Sequence, residues 1–253
     1  MTDLAVAWIV FACAFGSASL GLLLQSRLPT HHLNPDTKEV VKLTMGLLAT
    51  MAALVLGLLT ASAKSSFDAE TNEIEESAAA TILLDRVLAQ YGPETKGTRD
   101  LLRRAVERRL ALTWPEDGAE PALLDAPEAM SAGEAIEDRI RELSPQSDSQ
   151  RSLRSRALEL SGNVVHAQWL VLVQANAPIP RPFLVVLVAW ISVLLLSFSL
   201  FAPRNGTVVA ALLVCALAVS ASIFVILEMS RPFEGLIKIP SAPLRVALSH
   251  LGR

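Results

Sequence analysis

The chain has 253 residues, of which 52% are hydrophobic, 5% aromatic and 19% charged, and its formal net charge is −3. This balance shows no basic excess of the kind that binds nucleic acid. The apolar residues concentrate in four uncharged runs, at residues 4–24, 43–63, 183–202 and 207–227. Each run is long enough to cross a hydrocarbon core of about 30 Å as a helix. The composition therefore predicts an all-α integral membrane protein with four transmembrane helices.

The first run follows Met-Thr-Asp, without the basic segment of a signal peptide, so we expect a retained transmembrane helix. Cys13 and Cys215 both lie inside apolar runs, where they act as small hydrophobic residues. Neither is expected to form a disulfide or a metal site, and the sequence predicts no metal and no cofactor.

The second run belongs to a longer predicted helix. Asn34 and Pro35 are typical of a cap and a first helical position. Between Gly57 and Gly92 there is neither Pro nor Gly, so nothing stops the helix after the apolar run. We expect residues 65–91 to continue the membrane helix without a break.

One face of this second run carries small and weakly polar residues at alternating spacings of four and three. They are Gly46, Thr50, Ala53, Gly57 and Thr60, and Lys64 continues the series. Two interpretations are open. The face can be a seam for close helix packing in lipid, or it can line a pore in which hydroxyls and backbone meet water.

The remaining organisation follows from composition. Residues 1–63 hold the first two spans, 64–180 a soluble helical insert, 181–228 the last two spans, and 229–253 a membrane-proximal tail. The insert is predicted to contain helices at 95–113, 131–143 (with Ser131 as cap) and 148–174. We expect pairing between arginines of the 95–113 helix and glutamates of the preceding helix: Arg103, Arg104, Arg108 and Arg109 with Glu70, Glu73, Glu75 and Glu76.

Lys and Arg are unequally divided between the two sides of the membrane. The segment 64–181 holds fourteen of them and the tail four, against three in 25–42 and one at Arg204. This asymmetry predicts that the insert and both termini are cytoplasmic.

The last third of the chain carries segments that resemble a known family. They are Phe-Ala-Pro-Arg-Asn-Gly-Thr at 201–207, Leu-Glu-Met-Ser-Arg-Pro-Phe-Glu-Gly at 227–235 and Ser-Ala-Pro-Leu-Arg at 241–245. The chain resembles bacterial bestrophin-like membrane proteins, a family whose own function is not established. Bestrophins are pentameric chloride channels with two spans, a helical insert and two more spans. Their Pro-Phe-Gly segment is approximated here by Arg231, Pro232, Phe233 and Gly235, with an extra Glu234 before the glycine. Glu228 belongs to the same family-like C-terminal segment.

Two departures limit what the resemblance implies. Bestrophins narrow their pore with bulky apolar and aromatic residues on the second span, whereas this span has no Phe, Tyr or Trp. The acidic calcium-linked cluster that follows Pro-Phe-Gly in bestrophins is replaced here by Leu-Ile-Lys-Ile at 236–239. The resemblance therefore implies an anion channel but not calcium gating.

The sequence contains no catalytic, phosphate-binding or zinc motif, which argues against an enzyme. The favoured function is an oligomeric anion channel with the second span near the axis and chloride or another small anion as its cargo. The alternative is a membrane-anchored scaffold without a pore. Membrane lipids and further copies of the chain are the expected partners, and nucleic acid is not.

Overall fold

A computed structural model describes residues 2–25, 35–115, 126–175, 181–233 and 235–252. The described residues form helices and no strand. The helices are α1 (Asp3–Leu24), α2 (Pro35–Tyr91), α3 (Lys96–Thr113), α4 (Ala126–Arg141), α5 (Asp148–Ala175), α6 (Arg181–Phe201), α7 (Gly206–Met229) and α8 (Ala242–His250). In this part of the chain, α1, α2, α6 and α7 are long and apolar enough to cross a membrane. The predicted fold class is confirmed.

Helix α2 is continuous from Pro35 to Tyr91, as the lack of Pro and Gly after the span predicts. It ends at Gly92, whose φ of +143° is left-handed and favours glycine, and Pro93 follows. The expected cap Asn34 lies outside the described residues. The prediction for α4 is wrong at its start, because the helix begins at Ala126 and Ser131 lies inside it.

The chain divides into two compact units, and the first comprises Met1–Ser65 and Pro178–Ser230. Its apolar core joins α1, α2, α6 and α7. Helices α1 and α6 approach closely at Gly21, where an added Cβ would lie 2.5 Å from the carbonyl oxygen of Leu196. A hydrogen bond joins α7 to α1: Ser220 Oγ donates to the carbonyl oxygen of Ala7 at 2.7 Å.

The second unit comprises Ser66–Ala177 and Arg231–Arg253. Its apolar core draws on the C-terminal part of α2, on α3, α4 and α5, and on the tail. Asp85 of α2 is almost fully buried and receives two hydrogen bonds from Arg99 of α3, Nε to Oδ1 at 2.7 Å and Nη2 to Oδ2 at 2.8 Å. This buried ion pair joins α2 to α3.

The tail is part of the core of the second unit. Leu244, Ala247 and Leu251 of the α8 region are buried in it. Ahead of α8, the backbone N–H of Ile239 donates to the carbonyl of Pro232 at 2.9 Å, and Trp114 Nε1 donates to the carbonyl of Ile239 at 2.8 Å. These bonds close the 232–239 loop against α3.

Candidate functional site

The membrane-spanning part of α2 is the least covered of the four candidate spans. Only 6% of its apolar window is buried, against 28% in each of the other three. One side, which we call the packed face, lies against the core of the first unit. It consists of Ala52 and the partly buried Met45, Ala49, Leu56 and Leu59. The rest of its circumference is not covered by any of the described residues and is available to lipid, to water or to another copy.

The predicted small face is entirely exposed. Its members are Gly46, Thr50, Ala53, Gly57, Thr60 and Lys64. A Cβ added at Gly46 or at Gly57 would meet no atom within 4 Å, so the face is open along its length. The hydroxyl of Thr50 donates to the carbonyl of Leu47 at 2.7 Å, and that of Thr60 to the carbonyl of Leu56 at 2.8 Å. Each hydroxyl proton is therefore used in a hydrogen bond within α2, and the oxygen lone pairs remain available as acceptors on the exposed face.

A second exposed face, which we call the leucine face, consists of Leu47, Met51, Leu54 and Leu58. Their exposed fractions are 65%, 45%, 74% and 68%. At 100° per residue, the packed face, the small face and the leucine face are centred about 120° apart around α2. From the sequence, these four residues were assigned no role. Their spacing of four, three and four was the available signal.

Most residues of the bestrophin-like C-terminal segment are buried or take part in packing. Glu228 is buried in the last turn of α7. Pro232 and Phe233 are buried in the second unit, and the ring of Phe233 meets that of Trp114 edge to face with centroids 5.9 Å apart. Gly235 has a φ of +75°, and Arg231 is exposed. These contacts hold the loop in place, and whether the segment also serves a function stays a prediction.

Besides Asp85, two charged residues of the second unit are buried in a way that the sequence did not predict. Arg109, expected to pair with a glutamate of α2, is 8% exposed, and its Nη1 donates instead to Ser77 Oγ at 3.0 Å. Its spacing from Leu102 and Val106 was the missed signal, because steps of four and three put all three on one helix face. Glu70 is also buried, and its Oε2 has no hydrogen-bond partner among the described residues. Burial, and then the nearby charge of Glu73, raise the pKa of Glu70 to about 7.

Nothing in the described ranges places three or more His, Cys, Asp or Glu side chains where they could hold a metal ion. What the geometry offers instead is a membrane helix with two open faces in the first unit, and a second unit that packs around its own core. These features define a multi-pass helical membrane protein.

Comparison with known proteins identifies the family. The Bestrophin-like domain matches residues 12–244, and the chain therefore belongs to the Bestrophin-like family. The fold is similar to that of a bacterial bestrophin homologue from Klebsiella pneumoniae. A point mutant of that protein matches with a TM-score of 0.67 and 17% identity over 96% of each chain. A structure of it phased on zinc matches with a TM-score of 0.63 and 16% identity over 92% of this chain and 95% of the other. No curated protein matches the chain.

Proposed function

We propose that the protein forms a ring of identical subunits in a bacterial inner membrane and conducts small anions, chloride among them, along an axis surrounded by α2. The observation that carries the proposal is the pair of uncovered faces on the span of α2, in a chain of the Bestrophin-like family.

Rotational symmetry restricts how these faces can be used. In a closed ring the packed face of α2 points outward to its own subunit, and its two flanks meet two different neighbours. One flank is the small face and the other is the outer edge of the leucine face, so Met51 and Leu58 of one copy enter the gaps at Gly46 and Gly57 of the next. Small residues permit such close helix approach in lipid. This arrangement favours the packing interpretation for most of the small face.

The strip between the two faces then points to the axis. It contains Leu47, Thr50, Leu54 and Ala61, all of which are exposed in the single chain. Leucine side chains around an axis form an apolar constriction, and Thr50 adds a hydroxyl between two of them. The absence of ionisable residues from the 43–63 run suits a passive pore rather than an ion-coupled transporter.

Lys64 supplies the expected charge selectivity. It is exposed at the end of the span, and a ring of such residues would concentrate anions at one mouth. Asp68 lies one turn further on, where an ordinary surface pair with Lys64 is the competing role. In a conducting preparation, Lys64→Glu should lower the ratio of chloride to potassium permeability without changing the native mass. An unchanged ratio would remove Lys64 from the conduction path.

Cysteine accessibility tests the axis-facing strip. Cys13 and Cys215, which are free and exposed, are first replaced by Ala. A charged thiol reagent should then modify Leu54→Cys and reduce anion flux in liposomes. It should leave Val214→Cys unmodified, since Val214 is 63% exposed on α7 and faces lipid in this arrangement. Equal protection of both positions would contradict an axial α2 and favour a scaffold without a pore.

Glycine substitutions test the seam. The side chain of Gly57→Leu should occupy the gap that the α2 side chains of the adjacent copy fill in the ring. The copies should then separate, and the native mass of the assembly should fall. Gly16→Leu is the matched control, because Gly16 is an equally open glycine on α1. If Gly57→Leu blocks flux while the native mass is kept, the small face lines the pore instead.

The proposed topology places both termini and the helical insert in the cytoplasm, from the distribution of Lys and Arg. Reporter fusions at residues 118 and 253 should give the same, cytoplasmic signal. Opposite signals would mean that the chain does not cross the membrane four times.

A further inference from the structure

The second unit contains a cavity of about 50 Å³ among α2, α3, α4, α5 and the start of α8. Holding one water molecule takes about 10–15 Å³ of such space. The lining is largely apolar and includes Val106, Ile136 and Val165, with the guanidinium-bearing Arg109 as its buried charge. The cavity lies wholly within this unit, and none of its lining residues belongs to the small face or the leucine face of α2.

Arg109 is buried and charged, and no carboxylate among the described residues forms an ion pair with it. Its one described hydrogen bond goes to the neutral hydroxyl Ser77 Oγ. Burial lowers the pKa of Arg109 to about 10, and no carboxylate among the described residues opposes that effect. The side chain is therefore still cationic at neutral pH. By contrast, Arg99 on the same helix is paired with Asp85.

An unpaired buried cation is costly, and natural interiors pair such groups or bind a counter-ion to them. A guanidinium has five N–H donors, and a single bond to Ser77 leaves most of them for another acceptor. Around the same cavity, Ser161 and Gln168 bring a hydroxyl and an amide, both of which can donate to an anion. Among the described lining residues, the site thus presents the buried charge of Arg109 and neutral donors without a carboxylate.

We propose that this cavity is a binding site for one small inorganic anion of the size of chloride, held by Arg109. The volume accommodates a halide with one or two waters. Binding at this place would stabilise the packing of α3 against α2, α4 and α5. The proposal does not depend on conduction, because the site lies in the unit outside the membrane-spanning helices.

Thermal unfolding of the full-length protein in detergent tests the site. The midpoint is measured in sodium chloride and in sodium gluconate at equal ionic strength. At a chloride concentration about five times its dissociation constant, the wild type should unfold roughly 2–4 °C higher than in gluconate. Arg109→Met, of similar volume, should lose this difference. Arg104→Met is the matched control, since Arg104 is exposed on the same helix, and it should keep the difference.

A chloride effect of equal size in both variants would assign the ion to another place, such as the pore, and would overturn the proposal. Anomalous diffraction from crystals grown in bromide gives an independent measurement that does not require a folded variant. A bromide peak in contact with the guanidinium of Arg109 is expected. An empty cavity at high bromide concentration would overturn the proposal and leave the channel function untouched.

Discussion

The buried ion pair between Asp85 and Arg99 allows a quantitative test of how the second unit is held together. The Asp85 side chain is 1% exposed and that of Arg99 is 18% exposed. The carboxylate also accepts a longer hydrogen bond, 3.3 Å, from the backbone N–H of Gly252. The hydrogen bond to Asp85 is the largest cause that raises the pKa of Arg99. The pair therefore connects α2, α3 and the C-terminal end of the chain.

The two partners should differ in the cost of their removal. Arg99→Met leaves a carboxylate buried without its counter-charge, which costs about 3–5 kcal/mol. Asp85→Leu leaves an arginine that can turn its partly exposed head toward water, and we expect about 1–3 kcal/mol. The double variant replaces the pair by two apolar side chains and should recover most of the loss, because a buried pair often contributes little relative to apolar residues.

The assay is thermal unfolding of the full-length protein in detergent, followed by circular dichroism. Arg99→Met should lower the midpoint by roughly 10 °C, at about 2–4 °C per kcal/mol. Arg103→Met is the matched control, since Arg103 forms an exposed pair with Glu107 on the same helix and should cost under about 1 kcal/mol. Equal effects of Arg99→Met and Arg103→Met, or a double variant as unstable as the sum of the singles, would refute the reasoning.

Three further predictions use the same unfolding measurement. Gly21→Ala should destabilise the first unit, because its Cβ would strike α6, while Gly16→Ala should change the midpoint little; equal effects would contradict the α1–α6 packing. The raised pKa of Glu70 means that its ionised form is disfavoured in the folded state, so stability should fall as pH rises from about 4.5 through 7, by up to about 3 kcal/mol. Glu70→Gln should remove that fall between pH 5 and 8, and an unchanged slope would assign it to another group. Phe233→Ala should cost about 3–5 kcal/mol, against under about 0.5 kcal/mol for Leu236→Ala at a position 82% exposed; similar losses would place Phe233 outside the core.

The membrane helices could be predicted because their signal is local. An uncharged run of about 20 residues has few alternatives to a spanning helix, and the absence of Pro and Gly after Gly57 is enough to extend α2 to Tyr91. The start of α4 could not be predicted as well. Ser131 and Glu134 form an acceptable capping box, but the same residues are compatible with a helix interior, and the helix begins at Ala126.

The features that depend on tertiary packing were harder to infer. Nothing local indicates that Leu244 and Leu251 of the tail pack against α3, since a short apolar pattern fits a membrane surface equally well. Four of the five arginines of α3 were expected to pair with glutamates of α2, but one of them, Arg109, lies on the buried face and donates to Ser77. For α2, the small face is evident from spacing alone, but the degree to which its own chain leaves it uncovered is a property of the fold.

The central claim is that the protein conducts anions, and ion flux in liposomes tests it most directly. Purified full-length protein is reconstituted, and chloride efflux is compared with potassium efflux from matched vesicles, with protein-free vesicles as the baseline. The proposed channel predicts chloride efflux well above the baseline and faster than potassium efflux. Efflux at the baseline for both ions, from a preparation that keeps its oligomeric mass, would contradict it.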